Sequence, residues 1–230
     1  MARRKANTTK HEIIRLATHL FLEKGYRETS PKMISEALDI STGNITYYFP
    51  TKDHLLAVLT GMLCRFQWKM MEEEAQEGLS SVMALCLELA TMVAICEEDA
   101  IAKDFYISTY SSPMCLEIIR KNDAARAKKI FREHRPTWTD EHFEEAEILV
   151  SGIEYATLMT EGVSVSADTR IAGALHNILG IYNVPEEVRK AKIQRVLAMD
   201  YRGVGRRVLK EFRAFVDEAN EQAFAQLQTQ

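Results

Sequence analysis

Residues 30–55 read SPKMISEALDISTGNITYYFPTKDHL, and the fold follows from how that stretch is punctuated. Ser30 is a good N-cap, and Pro31 suits the first helical position, where its missing N–H costs nothing. Met33, Ile34, Ala37 and Leu38 recur at spacings of three and four, the apolar stripe of a short helix. Asp39 tolerates the left-handed backbone that a sharp turn needs, and Ile40 plugs the underside of that turn. Ser41 then caps a second short helix, with Ile45 and Phe49 facing in and Thr42, Gly43, Asn44, Thr46 and Tyr47 facing out. Gly43 near a helix start costs up to about 1 kcal/mol against alanine, which makes sense where the backbone must approach another surface closely. Pro50 cannot continue the helix, and Thr51 recaps the chain for Lys52, Asp53, His54 and Leu55. Two short polar helices around a tight turn are the sequence image of a helix-turn-helix whose second helix faces DNA.

Working outward, Thr9-Lys10-His11-Glu12 reads as a capping box that opens a helix. That helix carries Ile13, Leu16, Ala17, Leu20 and Phe21 on one side and ends at Gly25. Before it lies a basic, disordered-looking arm with Arg3, Arg4, Lys5 and Lys10. Beyond Thr51 the pattern stays helical. One long helix is expected over 51–76, ended by Gly78, then an almost wholly apolar helix over 79–96. Further helices are expected over 99–111, from Ser112-Pro113 to near His134, from a Thr139 cap to about Glu161, and from an Asp168 cap to Tyr182. Pro185 opens the next, and a last helix spans 204–227. No strand, repeat or linker stands out. The expected class is all-α: an N-terminal three-helix helix-turn-helix domain, joined by a shared helix to a larger C-terminal helical bundle.

The charge is divided unevenly along the chain. Net charge is −4, yet residues 1–60 hold nine Lys/Arg against six Asp/Glu, and the remainder 20 against 27. A mildly basic head on an acidic body fits a protein whose small N-terminal part alone meets phosphate. With 47% hydrophobic and 27% charged residues among 230, the composition is that of a globular chain with ample core. No apolar run reaches bilayer length and no signal peptide is expected, so no membrane partner is expected either. Cys64, Cys86, Cys96 and Cys115 lack CxxC spacing and sit in apolar patterns, which reads as buried reduced thiols. His134 and His142 flank the Pro136 break and make a poor metal pair, so neither a metal nor any other cofactor is expected. Gly-rich phosphate loops and nucleophile elbows are missing, so the chain is not read as an enzyme.

The strings HEIIRLATHLFLEKGY (11–26) and ISTGNITYYFPTKDHL (40–55) carry a resemblance. Residues 10–56 resemble the DNA-binding domain of the tetracycline-repressor (TetR) family of bacterial transcription regulators. Two positions depart from that pattern: Asp39 stands where family members usually carry glycine, and Thr46 where they usually carry an aromatic. The resemblance implies that Thr42, Gly43, Asn44, Thr46, Tyr47 and Tyr48 face the major groove and its flanking phosphates, with Lys32 reaching a base or a phosphate and Lys52 a phosphate. It implies domains at 1–55, for DNA binding with the basic arm, and at 56–230, for ligand binding and dimerisation. It also implies a homodimeric, cytoplasmic, nucleoid-associated repressor whose grip on a near-palindromic double-stranded operator is modulated by a small-molecule effector of unknown identity. Candidate cavity residues are Phe66, Trp68, Met92, Phe105, Tyr106, Tyr110, Met114, Tyr155 and Met159, since aromatics and Met are common in adaptable pockets. The favoured dimer face combines 139–161 with 168–182. The alternative reading is an architectural helix-turn-helix protein that coats DNA without a ligand.

Overall fold

The computed structural model describes residues 2–77, 81–160 and 164–229, with side chains for 9–77, 81–160 and 164–222. All regular structure among the described residues is helical, in eleven helices. The first four are α1 (Ala2–Lys24), α2 (Pro31–Ala37), α3 (Thr42–Tyr48) and α4 (Lys52–Ala75). The next four are α5 (Val82–Glu98), α6 (Ala100–Ser111), α7 (Pro113–Phe131) and α8 (Asp140–Met159). Then follow α9 (Ala167–Ile181), α10 (Glu186–Ala198) and α11 (Tyr201–Thr229).

Helices α1 to α3 and the start of α4 form the head. Ile13, Ala17, Phe21, Ile34, Ile45, Phe49, Leu55 and Leu56 are all buried and supply its lean core. Helix α4 then continues into the body, where it packs on α5 and α7. The head touches the body at two further places. Helix α1 lies against α11, where His19 Nε2 meets Asp217 Oδ1 at 2.9 Å and Arg213 pairs with Glu23 at 3.0 Å. It also lies against α6. Gly25 ends α1 with φ +93°, and a Cβ there would stand 3.0 Å from Asp104 Oδ2 of α6, so glycine serves both the turn and the close approach. Asp104 in turn accepts the Arg27 backbone N–H at 2.9 Å and pairs with the Arg27 guanidinium at 3.1 Å.

In the body α5 is buried on nearly every side, as its all-round apolar sequence requires. Phe131 stacks on Tyr182 with ring centroids 4.1 Å apart, locking α7 to the end of α9, and Phe66 packs against Phe212 and Phe215 of α11. All four thiols are held protonated by burial, with those of Cys86 and Cys96 pushed up to about 12.

Several element ends differ from the sequence reading. Helix α1 begins at Ala2 rather than Thr9, because no Gly or Pro interrupts the backbone before the capping-box residues. The side chains of Arg3, Arg4 and Lys5 in the expected arm lie outside the described residues, as do Gly78, Leu79 and Glu161. Helix α4 turns off at Gln76, which takes φ +54° itself, and Ser81 caps α5. Helix α7 stops at Phe131, ahead of His134. Ser166, not Asp168, caps α9, leaving Asp168 to accept the Tyr201 hydroxyl from α11. Helix α11 starts at Tyr201 rather than Val204.

Candidate nucleic-acid interface and effector cavity

The helix-turn-helix is closed by three serine or threonine caps. Ser30 Oγ accepts Met33 N at 3.2 Å, Ser41 Oγ accepts Asn44 N at 3.3 Å, and Thr51 Oγ1 accepts His54 N at 3.4 Å. Between the first two, Asp39 takes φ +52°, the left-handed turn its side chain tolerates. A hydroxyl contact, Ser35 Oγ to Thr42 Oγ1 at 3.1 Å, ties α3 to α2. Ile45 and Phe49 anchor α3 inward, while Thr42, Gly43, Asn44, Thr46 and Tyr47 are exposed and Tyr48 is half-buried. Tyr47 is 79% exposed, an unusual place for a ring, and meets Tyr48 edge-on at 5.0 Å. A Cβ on Gly43 would touch only Ser41 Oγ, at 3.6 Å, so nothing inside the molecule demands glycine there. Its small size matters outward, toward whatever α3 approaches. Lys32 stands exposed at the start of α2, 3.6 Å from Glu36.

Lys52 is placed differently from the sequence expectation. Its ammonium turns back into the head, donating to Tyr26 O at 2.9 Å and Thr29 O at 3.0 Å, and lies 4.1 Å from the Tyr26 ring centroid. Burial depresses its pKa, with Asp104, Asp53 and Glu28 pulling the other way. The side chain clamps the α1–α2 loop onto α4 instead of reaching out for a phosphate. Tyr26 completes the clamp by donating its hydroxyl to Asp53.

In the body, five helices enclose a cavity of about 40 Å³. Its walls are polar and aromatic. Tyr106 of α6 donates to Gln67 Oε1 of α4 at 2.7 Å, and Tyr110 donates to Glu154 Oε2 of α8 at 2.9 Å. Arg126 of α7 pairs with Glu88 of α5 at 3.1 Å and with Asp123, and its guanidinium lies over the Trp68 ring at 4.4 Å. Burial holds Glu88 at about 7, with Asp123 raising it and Arg126 opposing, and it holds the Glu154 carboxyl well above the usual range. A larger groove of about 560 Å³ opens between α7 and α8, lined by Glu117, Glu144, Glu145 and Ile148. It is an open surface channel rimmed by Arg120, Lys121 and several glutamates, whereas the smaller cavity is walled by largely buried polar and aromatic side chains from five helices.

The exposed α3 sits on a head whose sequence has a known counterpart: residues 13–59 match the family model described as bacterial regulatory proteins, tetR family. The head is a TetR-family DNA-binding domain. Among solved structures the chain is similar to a gamma-butyrolactone receptor, an ArpA-like protein, at 18% identity and TM-score 0.42, over 90% of this chain and 99% of that one. It is similar to GusR of Salmonella enterica at 20% identity and TM-score 0.41, over 83% and 96%. A third is CprB, a TetR family protein from S. coelicolor A3(2), at 18% identity and TM-score 0.41, over 90% and 99%. No curated protein matches the chain. The match over the head supports a DNA-binding transcriptional regulator.

Of the expected cavity residues in the body, Met92, Tyr106 and Tyr110 line the cavity. Trp68 backs Arg126, and Tyr155 stacks on Tyr110 with centroids 6.4 Å apart. Phe66 and Phe105 are core residues, and Met114 and Met159 are exposed, away from the cavity. Sequence reasoning missed Gln67, Glu88, Asp123, Arg126 and Glu154. One signal was present: Glu88 is the lone charge inside the apolar run that forms α5. His142 contributes to the α8 cap, accepting the Thr139 N–H at 3.2 Å on Nδ1. Among the described residues, no group of three or more His, Cys, Asp or Glu could hold a metal, and no helix is long and apolar enough to cross a membrane.

Proposed function

We propose that the chain is a repressor that binds a near-palindromic operator as a homodimer in the bacterial cytoplasm and releases it when a small molecule enters the body cavity. The observation that carries the reading is the continuity of α4, which is capped beside α3 and two turns later lines the cavity with Thr60, Leu63, Cys64 and Gln67. Opening the cavity displaces the same rigid helix that holds the DNA-reading unit. Two recognition helices must sit about one DNA turn apart, roughly 34 Å, to occupy successive major grooves, so a small swing of each α4 disrupts paired binding. A coupling of about 1–3 kcal/mol suffices for a useful switch. On α3, Asn44 suits a bidentate pair with adenine and the Thr42 and Thr46 methyls suit thymine, with Gly43, Tyr47 and Tyr48 against the backbone and Lys32 near a phosphate.

The dimer face is supported by α8 and α9. Leu149, Gly152, Ala156 and Met159 form an exposed stripe on α8, and Gly173 and Asn177 are exposed on α9. A Cβ added to Gly152 or Gly173 would meet no atom within 4 Å, so these surfaces are flat enough for close helix approach. Footprinting with the purified chain tests the function: one short symmetric protected site supports the operator reading, whereas sequence-indifferent coverage supports DNA coating. Replacing Ala156 by Glu on the stripe is expected to yield monomers by analytical ultracentrifugation and to weaken operator binding. A dimer that survives this change places the interface elsewhere.

A further inference from the structure

We propose that the effector is an organic cation, an amine, amidine or guanidine on a compact apolar body, bound between Glu154, Glu88 and the aromatic side chains of the cavity. This rests on the reading of that cavity as the effector site and adds its chemistry. The charged groups facing the site are unequal. Helix α5 brings Glu88, α7 brings Asp123 and Arg126, and α8 brings Glu154. Glu147 stands two turns before Glu154 on the same face of α8, and its environment is set partly by Asp123, Arg126 and Glu88. Helices α4 and α6 contribute no carboxylate or cation, only Gln67, the Thr60 and Thr109 hydroxyls, the protonated Cys64 thiol and the Tyr106 and Tyr110 hydroxyls.

Three lining carboxyl groups therefore surround one guanidinium, and that guanidinium is already engaged by Glu88 and Asp123. Arg120, also on α7, donates to Ser151 Oγ at 2.9 Å and faces the outer α7–α8 groove. Glu147 is 2% exposed. Its Oε1 accepts the Tyr182 hydroxyl, while its Oε2 is buried with no hydrogen-bond partner. Of the lining acids, Glu154 meets the Tyr110 hydroxyl and not a cation, and a donor-rich cation supplies what it lacks. The rings of Tyr106 and Tyr110 suit the same guest, since aromatic faces attract cations. An anion would meet three acids, and a neutral molecule would leave them as they are.

Without a guest, burial keeps these acids protonated to higher pH than an ordinary glutamate: Glu88 titrates at about 7 and Glu147 at about 8, and Glu154 lies well above the usual range. An entering cation expels protons, so its affinity rises with pH, by about tenfold per unit for each proton released. At about 40 Å³ the cavity must widen to admit it, and widening moves α4.

Calorimetric titration of the full chain with benzamidine, the neutral benzamide and the anionic benzoate tests the inference. Benzamidine is expected to bind at least about tenfold more tightly than benzamide, with benzoate weakest. Its affinity is expected to rise from about pH 6 to about pH 8.5. Glu154→Gln, with Glu88→Gln as a second variant, is expected to lower benzamidine affinity and flatten that pH dependence, with folding checked by thermal melting. Failure of benzamidine to bind, pH-independent binding, or equal binding of benzamide or benzoate overturns the cation assignment. If a neutral or anionic probe binds and releases operator DNA, the ligand-responsive reading survives without it. If benzamidine binds as described but DNA release never follows, the cation site stands and the regulatory reading falls.

Discussion

Tyr47 and Asn44 owe their exposure to Ile45, which is held in the head core and turns its neighbours toward solvent. Truncating either exposed side chain to alanine is expected to cost about 1–3 kcal/mol of operator affinity while the circular-dichroism spectrum and melting temperature stay unchanged. Operator titrations that match the parent for both variants would mean that α3 does not read DNA. Lys52 carries a different expectation. Lys52→Met removes two hydrogen bonds and a cation–ring contact inside the head, so it is expected to lower head stability by about 1 kcal/mol, discounted for its partial exposure. The slope of DNA affinity against salt is expected to stay at the parent value; a slope reduced by about one charge would restore the phosphate contact. The caps Ser30, Ser41 and Thr51 and the Asp39 turn were legible because each depends on its own few neighbours. The direction of the Lys52 side chain was not, since it follows from where the α1–α2 loop lies in space.

Among the elements, α6 is the second route between body and head. Asp104 accepts the Arg27 amide and abuts Gly25, so it fixes the loop that leads into α2. Asp104→Ala is expected to speed hydrogen exchange across residues 25–29 by about tenfold, the loss of a hydrogen bond to a charged group worth about 1.5 kcal/mol. Exchange at the core of α4 is expected to stay slow in the same sample. Equal protection in parent and variant would show that the loop is held by α1 and Lys52 alone. Helix existence was readable along the whole body from apolar spacing, as α5 and α11 illustrate. Helix ends were less so: the Asp168 cap moved to Ser166 because Asp168 was recruited by Tyr201 of a distant helix.

For the whole molecule, the buried acids make stability depend on pH. An ordinary glutamate titrates at 4.5, whereas folding holds Glu88 at about 7 and Glu147 at about 8. Between about pH 4.5 and pH 8 the folded chain therefore binds more protons than the unfolded chain, and these groups lose their stabilising effect as pH rises through that window. The melting temperature is expected to be higher near pH 5.5 than near pH 8.5, and Glu147→Gln to flatten the trend, both by calorimetry. A melting temperature that climbs across this range would mean the acids are ionised in the fold. What the chain's own order of residues determined is the head: its caps, its turn, its outward polar face and the helical body behind it, all set by interactions within a turn or two of backbone. The cavity was decided only in three dimensions. Asp123 and Arg126 lie in a largely polar run of α7, and they become part of a cavity wall because α5, α7 and α8 bring Glu88 and Glu154 against them. Local rules say which face of a helix is apolar; burial and charge at a point come from every helix that meets there.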